Sequence, residues 1–551
     1  MIKRNYILVG LLATVIFATA AVTKRVDNYF EIAKNLEIFG NLYREVNSNY
    51  VDEVDPTKSM RTAIDAMLGQ MDPYTNYISD GEIEDYRIKQ AGQFGGIGAN
   101  VEKRKNKFVV TEPYQDYPAA KGGLLTGDIL LKIDQVELAG KSLAEVRELL
   151  TGEKGSQVIL TIKREGKDEP VRLTLERDNV KNKNVPFYGM ASEKVGYITL
   201  TIFMHGCAGE VRQAYSALRT EHPEMEAVIL DLRGNPGGLL DQAVDIVNIW
   251  AKQGSPVVET IGKAPSSNRK HLARRPPMDL EMPVAVLVNG RSASASEIVS
   301  GALQDMDRAV VVGERSFGKG LVQNFKNLPY NTQMKVTTAK YYTPSGRCIQ
   351  AIDYAKRDED GSVQAVPDSL RRSFTTENGR VVYDGGGISP DVEVELPDVH
   401  PVTNALEQQG MIFDFVTQYA STHAEVASPR DFQLSDAIYQ EFVSYLNERD
   451  FSYKTAMEEQ LDELLEAAKK DGYQDAIKTS ADQLAASASQ AKANDVMKYK
   501  SEIAPLLRRE IVQRYYFKAG VIEASFSDDP VILEAIEVLG DKVRISKILG
   551  K

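Results

Sequence analysis

A strand that breaks into a serine-rich turn and then a helix constrains the fold of this chain more than any other feature. Residues 283–288 read PVAVLV, an apolar run typical of a buried strand, and the sequence NGR at 289–291 interrupts it. Small residues then lead into a helical pattern that includes Ile298 and Leu303. A second buried strand is predicted at Ala309–Gly313. Buried strands that alternate with helices favour an α/β fold with a largely parallel sheet.

The serines that follow this strand are candidate nucleophiles. A serine at a strand-to-helix turn lies beside free backbone N–H groups and the positive end of a helix, which stabilise an oxyanion. A serine also needs a base, usually histidine, and the five histidines all lie outside residues 288–323. Lys319, between two glycines, is the local candidate, because a buried lysine loses its charge and can act as a base. In the alternative interpretation, Ser292, Ser294 and Ser296 are helix-capping and packing residues and Lys319 lies in a turn.

The motifs around these residues favour the catalytic interpretation. The sequence SASASE at 292–297, followed by FGKG at 317–320, resembles the signature of the carboxyl-terminal processing peptidases, also called tail-specific serine proteases. The resemblance implies that Ser294 is the nucleophile and that Lys319, 319 − 294 = 25 positions later, is the general base. It also implies that Gln323 orients the lysine.

The sequence RGNPGG at 233–238 lies at another predicted strand-to-helix junction. Taken alone, its glycines predict a turn in which helix and strand pack closely. The family resemblance adds that the N–H of Gly238 forms half of an oxyanion hole. The N–H of Ala295, next to the nucleophile, would form the other half. The resemblance implies neither a metal nor an organic cofactor.

A rival motif overlaps the candidate lysine. Residues 316–319, SFGK, fit the S-x-x-K pattern of penicillin-binding proteins and β-lactamases. That motif needs a helical turn to bring serine and lysine together, and Gly318 and Gly320 disfavour one. The companion K-T-G and S-D-N motifs are absent from the sequence. We therefore favour Ser294 over Ser316 as the nucleophile.

Strand patterns replace helical ones after residue 93. The glycine loop FGGIGANV at 94–101 and the turn GGLLTGD at 122–128 resemble those of a PDZ domain. Such a domain adds an extended peptide as a strand, and the terminal carboxylate of the peptide meets N–H groups of the loop. The glycine spacing is not G-x-G-x-x-G, so a nucleotide site is disfavoured. The predicted groove residues are Gly95, Gly96, Ile97, Gly98, Leu143, Val146 and Leu150.

Composition limits the class of partner. The net charge of −12 argues against a nucleic-acid partner, because no basic surplus exists to neutralise phosphates. Cys207 and Cys348 are too few for a disulfide framework and lack metal-ligand spacing. We expect two small buried thiols. A single disulfide between them is the alternative.

The whole chain is predicted to be a multidomain α/β protein. It would comprise an N-terminal helical segment, a PDZ domain, an α/β serine–lysine protease core and a C-terminal helical domain. The predicted boundaries are residues 1–22 for a signal peptide or membrane anchor, 27–88 for the helical segment, 90–178 for the PDZ domain, 180–396 for the core and 400–551 for the C-terminal domain. Within the core, strands are predicted at 195–202, 227–231, 257–261 and 283–288.

The first 22 residues predict export. They start with the basic sequence MIKR, continue as an apolar run, and contain ATA at 18–20, which resembles a cleavage site. The length of the run is intermediate between a secretory signal and a short membrane anchor. Both alternatives place the protein in the periplasm or on the outer face of the inner membrane.

The resemblance extends over residues 30–400, so it implies least about the C-terminal part of the chain. Three roles stay open for its helices: packing on the protease, self-association, and docking of an adaptor.

The sequence as a whole predicts an exported serine endopeptidase that cleaves proteins at or near exposed C-terminal tails. The alternative is a catalytically inactive PDZ scaffold that binds protein C-termini. The presence of Ser294, Lys319 and Gln323 together disfavours this alternative, since an active site that has lost its activity tends to lack at least one such residue.

Overall fold

The computed structural model describes residues 29–83, 93–181, 183–354, 356–358 and 362–551. The predicted signal or anchor at residues 1–22 lies outside these ranges. Among the described residues, none of the helices combines the length and the apolar character needed to cross a membrane.

The helices are numbered in chain order. They are α1 (29–49), α2 (Pro56–Gly69), α3 (Pro118–Lys121), α4 (Leu143–Leu150), α5 (Cys207–Glu221), α6 (Leu240–Trp250), α7 (Ala295–Asp305), α8 (Pro401–Gln408), α9 (Met411–Thr422), α10 (Asp436–Asn447), α11 (Ala456–Asp471), α12 (Gln474–Lys492), α13 (Asp495–Lys498), α14 (Lys500–Ser525), α15 (Pro530–Gly540) and α16 (Lys542–Ile548). Residues 80–83 are also helical, and short 3₁₀ turns occur at Pro265–Ser267 and Asp368–Leu370.

The strands are numbered in the same way. They are β1 (Asn76–Ile78), β2 (Gln93–Gly96), β3 (Ala99–Arg104), β4 (Lys107–Pro113), β5 (Ile129–Ile133), β6 (Val136–Glu137), β7 (Gln157–Lys163), β8 (Val171–Glu176), β9 (Asp178–Lys181), β10 (Phe187–Met190), β11 (Val195–Thr199), β12 (Ala227–Asp231), β13 (Pro256–Gly262), β14 (Arg269–Leu272), β15 (Val284–Val288), β16 (Ala309–Gly313), β17 (Leu321–Leu328), β18 (Thr332–Tyr342), β19 (Ser373–Thr375), β20 (Val381–Tyr383) and β21 (Val392–Glu393).

The chain divides into two compact units. The smaller unit comprises the described residues up to Ser79 together with Phe325–Val336. It contains the predicted N-terminal helices α1 and α2, and β1 pairs antiparallel with residues 333–335 of β18. Helix α2 begins where the Asp55 side chain accepts a hydrogen bond from the N–H of Lys58 (3.1 Å), a favourable N-cap.

The larger unit contains the predicted catalytic core, a six-stranded sheet in the order β10-β11-β12-β15-β16-β21. The strands from β11 onward are parallel, and β10 is antiparallel at one edge. The residues of β12, β15 and β16 are all buried, which explains their unbroken apolar runs.

Alternate residues of these strands face two helical layers. Val284, Val286 and Val288 pack with the apolar faces of α5, α6 and α7, whereas Ala285 and Leu287 pack with α15 and neighbouring C-terminal residues. The core is therefore an α/β/α sandwich, and the last helices of the chain supply one of its three layers. Of the roles left open for the C-terminal helices, the structure thus shows packing on the core.

The prediction for residues 257–261 is wrong in one respect. Strand β13 does exist, but it pairs antiparallel with β14 and with residues 339–342 of β18, outside the parallel sheet. The physical reason is visible in its burial. Thr260 is buried whereas Ile261 is exposed, so only part of this strand is covered, unlike the wholly buried central strands.

The predicted PDZ segment folds around its own apolar core, which includes Ile97, Val110 and Leu160. Its main sheet has the order β3-β4-β5-β7-β8, so β3 is an edge strand. Helix α4 begins with a capping box in which Ser142 and Glu145 bind each other's backbone N–H. Strands β2 and β9 pair antiparallel where the chain enters and leaves this segment.

Helices α8, α9, α10 and α14 enclose a further apolar cluster. The stripe predicted at Tyr439, Phe442, Tyr445 and Leu446 lies in it, and these side chains are at most 5% exposed. The stripe therefore belongs to the core of the helical region.

Candidate active site

The candidate site lies where two neighbouring parallel strands, β12 and β15, end at the same edge of the sheet. Ligands of open α/β sheets bind beyond this edge. The two loops that follow the strands are joined by hydrogen bonds that backbone N–H groups donate. The N–H of Ala293 donates to the carbonyl of Asn235 (3.0 Å), and the N–H of Gly234 donates to the side-chain oxygen of Asn289 (2.9 Å). These bonds hold the loop that contains RGNPGG and the serine-rich turn against each other.

Ser294 stands at the N-cap of α7 in a strained conformation, with φ 57° and ψ −113°. Such angles are rare for residues other than glycine, and they persist at sites where function requires them. Ser294 is half-buried, whereas Ser292 and Ser296 are fully buried. The Ser292 hydroxyl donates to the carbonyl of Leu232 (2.8 Å), and the Ser296 hydroxyl donates to that of Asn235 (2.9 Å). These two serines therefore join the loops together.

The buried carboxylate of Glu297 connects Ser294 to the loop that carries Lys319. One oxygen accepts from the backbone N–H groups of Ser294 (2.7 Å) and Lys319 (2.9 Å). The other accepts from the hydroxyl of Ser316 (2.6 Å) and the N–H of Gly318 (2.7 Å). Burial raises the pKa of Glu297, and the four donors oppose that shift because they stabilise the ionised form. Glu297 therefore fixes the backbones of the two predicted catalytic residues relative to each other.

Tyr341 makes a second connection between the same two residues. Its hydroxyl lies 3.0 Å from the carbonyl oxygen of Ser294 and is also hydrogen-bonded to the carbonyl oxygen of Lys319. Tyr341 is 1% exposed, so the link is shielded from water. Lys319 itself is half-buried.

The backbone geometry suits the predicted oxyanion donors. Residues 237–239 bridge to Phe203 through the carbonyl of Gly237 (3.0 Å) and the N–H of Leu239 (2.8 Å). In this parallel bridge the N–H of Gly238 points away from Phe203. The N–H of Gly237 is instead held by the side chain of Asn235 (2.9 Å).

The other predicted donor, Ala295, is the first residue of α7, where a backbone N–H has no acceptor within the helix. Gly237 brings the two loops into contact at this point. A Cβ atom on Gly237 would lie 2.8 Å from the backbone nitrogen of Ala295 and 2.8 Å from the Cβ of Ser294. The glycine is required for this close approach, since φ at Gly237 is also +94°.

The structure places Gln323 in β17, where its side-chain amide donates to the hydroxyl of Thr337 (3.2 Å). Its predicted action on Lys319 stays a prediction. Three of the five histidines are engaged elsewhere: His222 binds Glu224, His400 stacks on Tyr499 and His423 stacks on Tyr419.

The rival S-x-x-K interpretation does not fit the structure. Residues 315–320 form no helix, and Gly318 has φ +87°. Ser316 is buried, and besides its bond to Glu297 its hydroxyl accepts from the N–H of Ile388 (2.7 Å). The Ser316 hydroxyl therefore helps to hold the Glu297 carboxylate in place.

The predicted PDZ groove residues fall into two groups. Ile97, Val146 and Leu150 are at most 5% exposed and belong to the PDZ core, and Leu143 is half-buried against it. Gly95 and Gly96 lie against the residues that follow α4, because the N–H of Gly152 donates to the carbonyl of Gly95 (3.1 Å) and Gly96 bridges to Thr151. Gly98 has φ +75°, and a Cβ there would come within 2.5 Å of Tyr117.

Sequence reasoning did not identify Glu297 or Tyr341 as parts of the site. A signal for Glu297 was present, because Ser294 and Glu297 have the S-x-x-E spacing of a capping box. Nothing local in the sequence indicates Tyr341, which comes from β18.

Within the described residues, no group of three or more His, Cys, Asp or Glu side chains could hold a metal ion. Cys207 and Cys348 are free thiols.

Three segments of the chain match known families. Residues 194–358 match "Peptidase family S41", residues 95–175 match "PDZ domain", and residues 402–539 match "Probable PDZ-protease, C-terminal helical domain". The predicted multidomain α/β architecture is thereby confirmed, although its boundaries stay predictions. The fold and these matches define a serine-type peptidase that carries a PDZ domain.

Whole-sequence comparison identifies the family. The chain is 37% identical over 340 residues to the "Carboxy-terminal-processing protease" of Bartonella bacilliformis, a match that covers 61% of this chain and 77% of that protein. It is 34% identical over 320 residues to the "Probable CtpA-like serine protease" of Staphylococcus aureus, which covers 57% of this chain and 62% of that protein. The chain belongs to the carboxy-terminal-processing protease family, as its motifs predicted.

The chain is also similar to parts of solved structures. A photosystem II D1 C-terminal processing protease is 26% identical, with a TM-score of 0.36, over 65% of this chain and 87% of that one. The PDZ domain of a carboxy-terminal protease from Vibrio cholerae, solved in complex with a peptide, is 30% identical, with a TM-score of 0.16, over 16% of this chain and 99% of that one.

Proposed function

We propose that this peptidase is an endopeptidase that uses a Ser294–Lys319 dyad to cleave proteins at or near their C-terminal tails. The observation that carries the proposal is the double connection between the two residues. Glu297 accepts from the backbone N–H groups of both, and the Tyr341 hydroxyl lies within hydrogen-bond distance of both of their carbonyl oxygens. A nucleophile and its base need such fixed placement, since small displacements slow a reaction strongly.

The reaction would proceed by acyl transfer. Neutral Lys319 takes the proton of Ser294 while the serine oxygen attacks the peptide carbonyl, and Gln323 orients the lysine. The N–H groups of Gly238 and Ala295 hold the resulting oxyanion. Protonated Lys319 gives the proton to the leaving amine, and an acyl-enzyme forms. Water, deprotonated by Lys319, then attacks the ester, and Ser294 regains its proton as the carboxylic acid product leaves.

A covalent probe tests the assignment of the nucleophile. An active-site-directed fluorophosphonate should label the purified chain at one residue, Ser294, because only an activated hydroxyl displaces fluoride at a useful rate. Peptide mapping by mass spectrometry locates the label. Modification of Ser292, Ser296 or Ser316 in place of Ser294 would contradict the proposal.

The PDZ domain would capture the tail of the substrate. Strand β3 is the edge of its sheet, with α4 beside it, so an extended peptide has a strand to pair with. The glycine loop at 95–98 is the candidate for binding a terminal carboxylate, which needs several N–H partners when it is buried. Val146 and Leu150 are buried in the PDZ core, which leaves Leu143 as the predicted residue of α4 that is only half-buried. An apolar side chain of the tail would therefore enter beside Leu143.

Amidation of the substrate tests this capture. A substrate with a C-terminal amide lacks the charge that the loop would bind, so its kcat/KM should fall about tenfold or more relative to the free acid. The two substrates are otherwise identical, and cleavage is followed at concentrations well below KM. An unaltered kcat/KM would reject tail recognition by the PDZ domain and leave the Ser294–Lys319 dyad unaffected.

Export is part of the same proposal, with the protein in the periplasm or anchored to the outer face of the inner membrane. It is supported by the basic start and the apolar run of residues 1–22. The substrates would then be exported proteins with accessible tails.

A further inference from the structure

An ion pair connects the C-terminal helices to the candidate oxyanion loop. Arg233 is the second residue after β12, and Asp529 follows it in sequence by 296 positions. One Arg233 nitrogen, Nη1, donates to both oxygens of Asp529 (3.0 and 2.9 Å). The same guanidinium donates to Asp231 through Nη2 (2.7 Å) and Nε (3.0 Å). The side chains of Arg233 and Asp529 are only 20% and 21% exposed, so solvent screens the pair weakly.

Asp529 is itself held rigidly. It is the N-cap of α15, and its Oδ1 accepts from the N–H groups of Val531 (3.0 Å) and Ile532 (3.2 Å). The buried side chains of α15 pack on the central sheet. Just before Asp529, the ring of Phe526 packs edge-to-face on Tyr197, with centroids 5.1 Å apart.

The other end of this network fixes Arg233. The Tyr197 hydroxyl donates to Asp231 (2.6 Å), and Asp231 also accepts from the backbone N–H of Arg233 (2.8 Å). The orientation of Arg233 is thus set jointly by a strand residue and by a residue of the C-terminal region. Arg233 lies at the start of the short loop that ends at Gly238, the predicted oxyanion donor.

We propose that Asp529 is a positioning residue for the oxyanion hole, acting through Arg233 on the loop that presents Gly238 to Ser294. The inference rests on the proposed function, because it requires Gly238 to stabilise the oxyanion. Asp529 touches neither substrate nor reacting atoms. Asp231 binds two nitrogens of the Arg233 guanidinium, Nε and Nη2, and Asp529 binds the third, Nη1, so that the side chain at the start of the loop is held on both sides. The C-terminal helices are then part of the catalytic apparatus, in addition to their role as a packing layer.

Asp529→Asn separates this role from that of a helix cap. Asparagine caps helices as well as aspartate does, so α15 should stay in place while the charge opposite Arg233 is lost. Asp541→Asn is the matched control. Asp541 caps α16 through the same kind of bonds, to the N–H groups of Val543 (2.9 Å) and Arg544 (3.0 Å), and is not part of the Arg233 network.

The purified full-length variants are compared in three measurements: kcat and KM for a peptide substrate, the Kd of a peptide boronic acid, and Tm. The boronate forms a tetrahedral adduct with Ser294 and occupies the oxyanion hole, whereas substrate binding alone does not require the hole. We expect Asp529→Asn to lower kcat about 10- to 100-fold, since a displacement of about 1 Å can cost about 100-fold. The boronate Kd should weaken by a similar factor, while KM and Tm change little. Asp541→Asn should match the wild type.

Arg233→Met provides a second, independent variant. If Asp529 acts through Arg233, then adding Asp529→Asn to Arg233→Met should lower kcat no further, because the two changes affect one interaction. Additive losses in the double variant would overturn the inference. So would a kcat of Asp529→Asn equal to that of the wild type, or a lower kcat without weaker boronate binding. Unfolding of Asp529→Asn while Arg233→Met stays folded would assign Asp529 to helix stability alone.

Ser294→Ala, measured alongside, distinguishes this inference from the proposed function. If Ser294→Ala is inactive and Asp529→Asn is as active as wild type, only the positioning role fails. If Ser294→Ala keeps its activity, the proposed mechanism fails, and the oxyanion role of Gly238 fails with it.

Discussion

Ser294→Ala is expected to lower kcat by about 10⁶-fold, the loss typical of removing the nucleophile of a serine peptidase. The substitution deletes the hydroxyl of a half-buried residue whose backbone bonds to Glu297 and Tyr341 are independent of its side chain. The fold should therefore stay intact, with an unchanged circular dichroism spectrum and a Tm close to that of the wild type. Cleavage of an unfolded model protein, followed by gel and mass spectrometry, measures the loss.

The neighbouring serines supply matched controls for this substitution. Ser292→Ala and Ser296→Ala each remove a hydroxyl that donates to a buried carbonyl group, so each should cost about 1–3 kcal/mol of stability. Both should retain most of the peptidase activity at a temperature where they are folded. Turnover by Ser294→Ala at the wild-type rate, or an inactive but folded Ser292→Ala, would reject the assignment of the nucleophile.

Much of this site could be predicted because its residues lie where local patterns change. The apolar run before Asn289 and the helical pattern after Ser296 indicate a strand-to-helix turn, and the structure has one there. The strained φ of Ser294 could not be predicted, because small residues tolerate several turn conformations. Only the packing of Gly237 against this turn shows how closely the two loops approach.

The connections between distant parts of the chain could not be predicted. Tyr341 and Asp529 reach the site from β18 and from the start of α15, and neither belongs to a motif that marks it. The same reason explains the position of β13. Its apolar residues indicate a strand, but a strand pattern does not specify which sheet the strand joins. Residues 400–551 were predicted to be helical, yet only the tertiary structure shows that α15 covers the catalytic sheet.

Lys319→Arg is the second substitution with a large expected effect. A general base must give up its proton before it can accept that of Ser294, and a guanidinium does not deprotonate in proteins. The variant keeps a positive charge and a long side chain, so it tests proton transfer more directly than truncation does. We expect kcat to fall by about 10⁴-fold, the upper range of general acid–base contributions. The rate of fluorophosphonate labelling at Ser294 should fall as well, because the same base activates the serine for both reactions.

Lys340→Arg is the matched control for this change, because Lys340 is an exposed lysine of β18 in the same compact unit. It should retain wild-type kcat, KM and labelling rate. Both variants should keep their fold, since Glu297 holds the backbone N–H of residue 319 whichever side chain is present. An active Lys319→Arg enzyme would exclude lysine as the base. A variant that loses peptidase activity but still reacts with fluorophosphonate at the wild-type rate would place Lys319 in a later step, the protonation of the leaving amine.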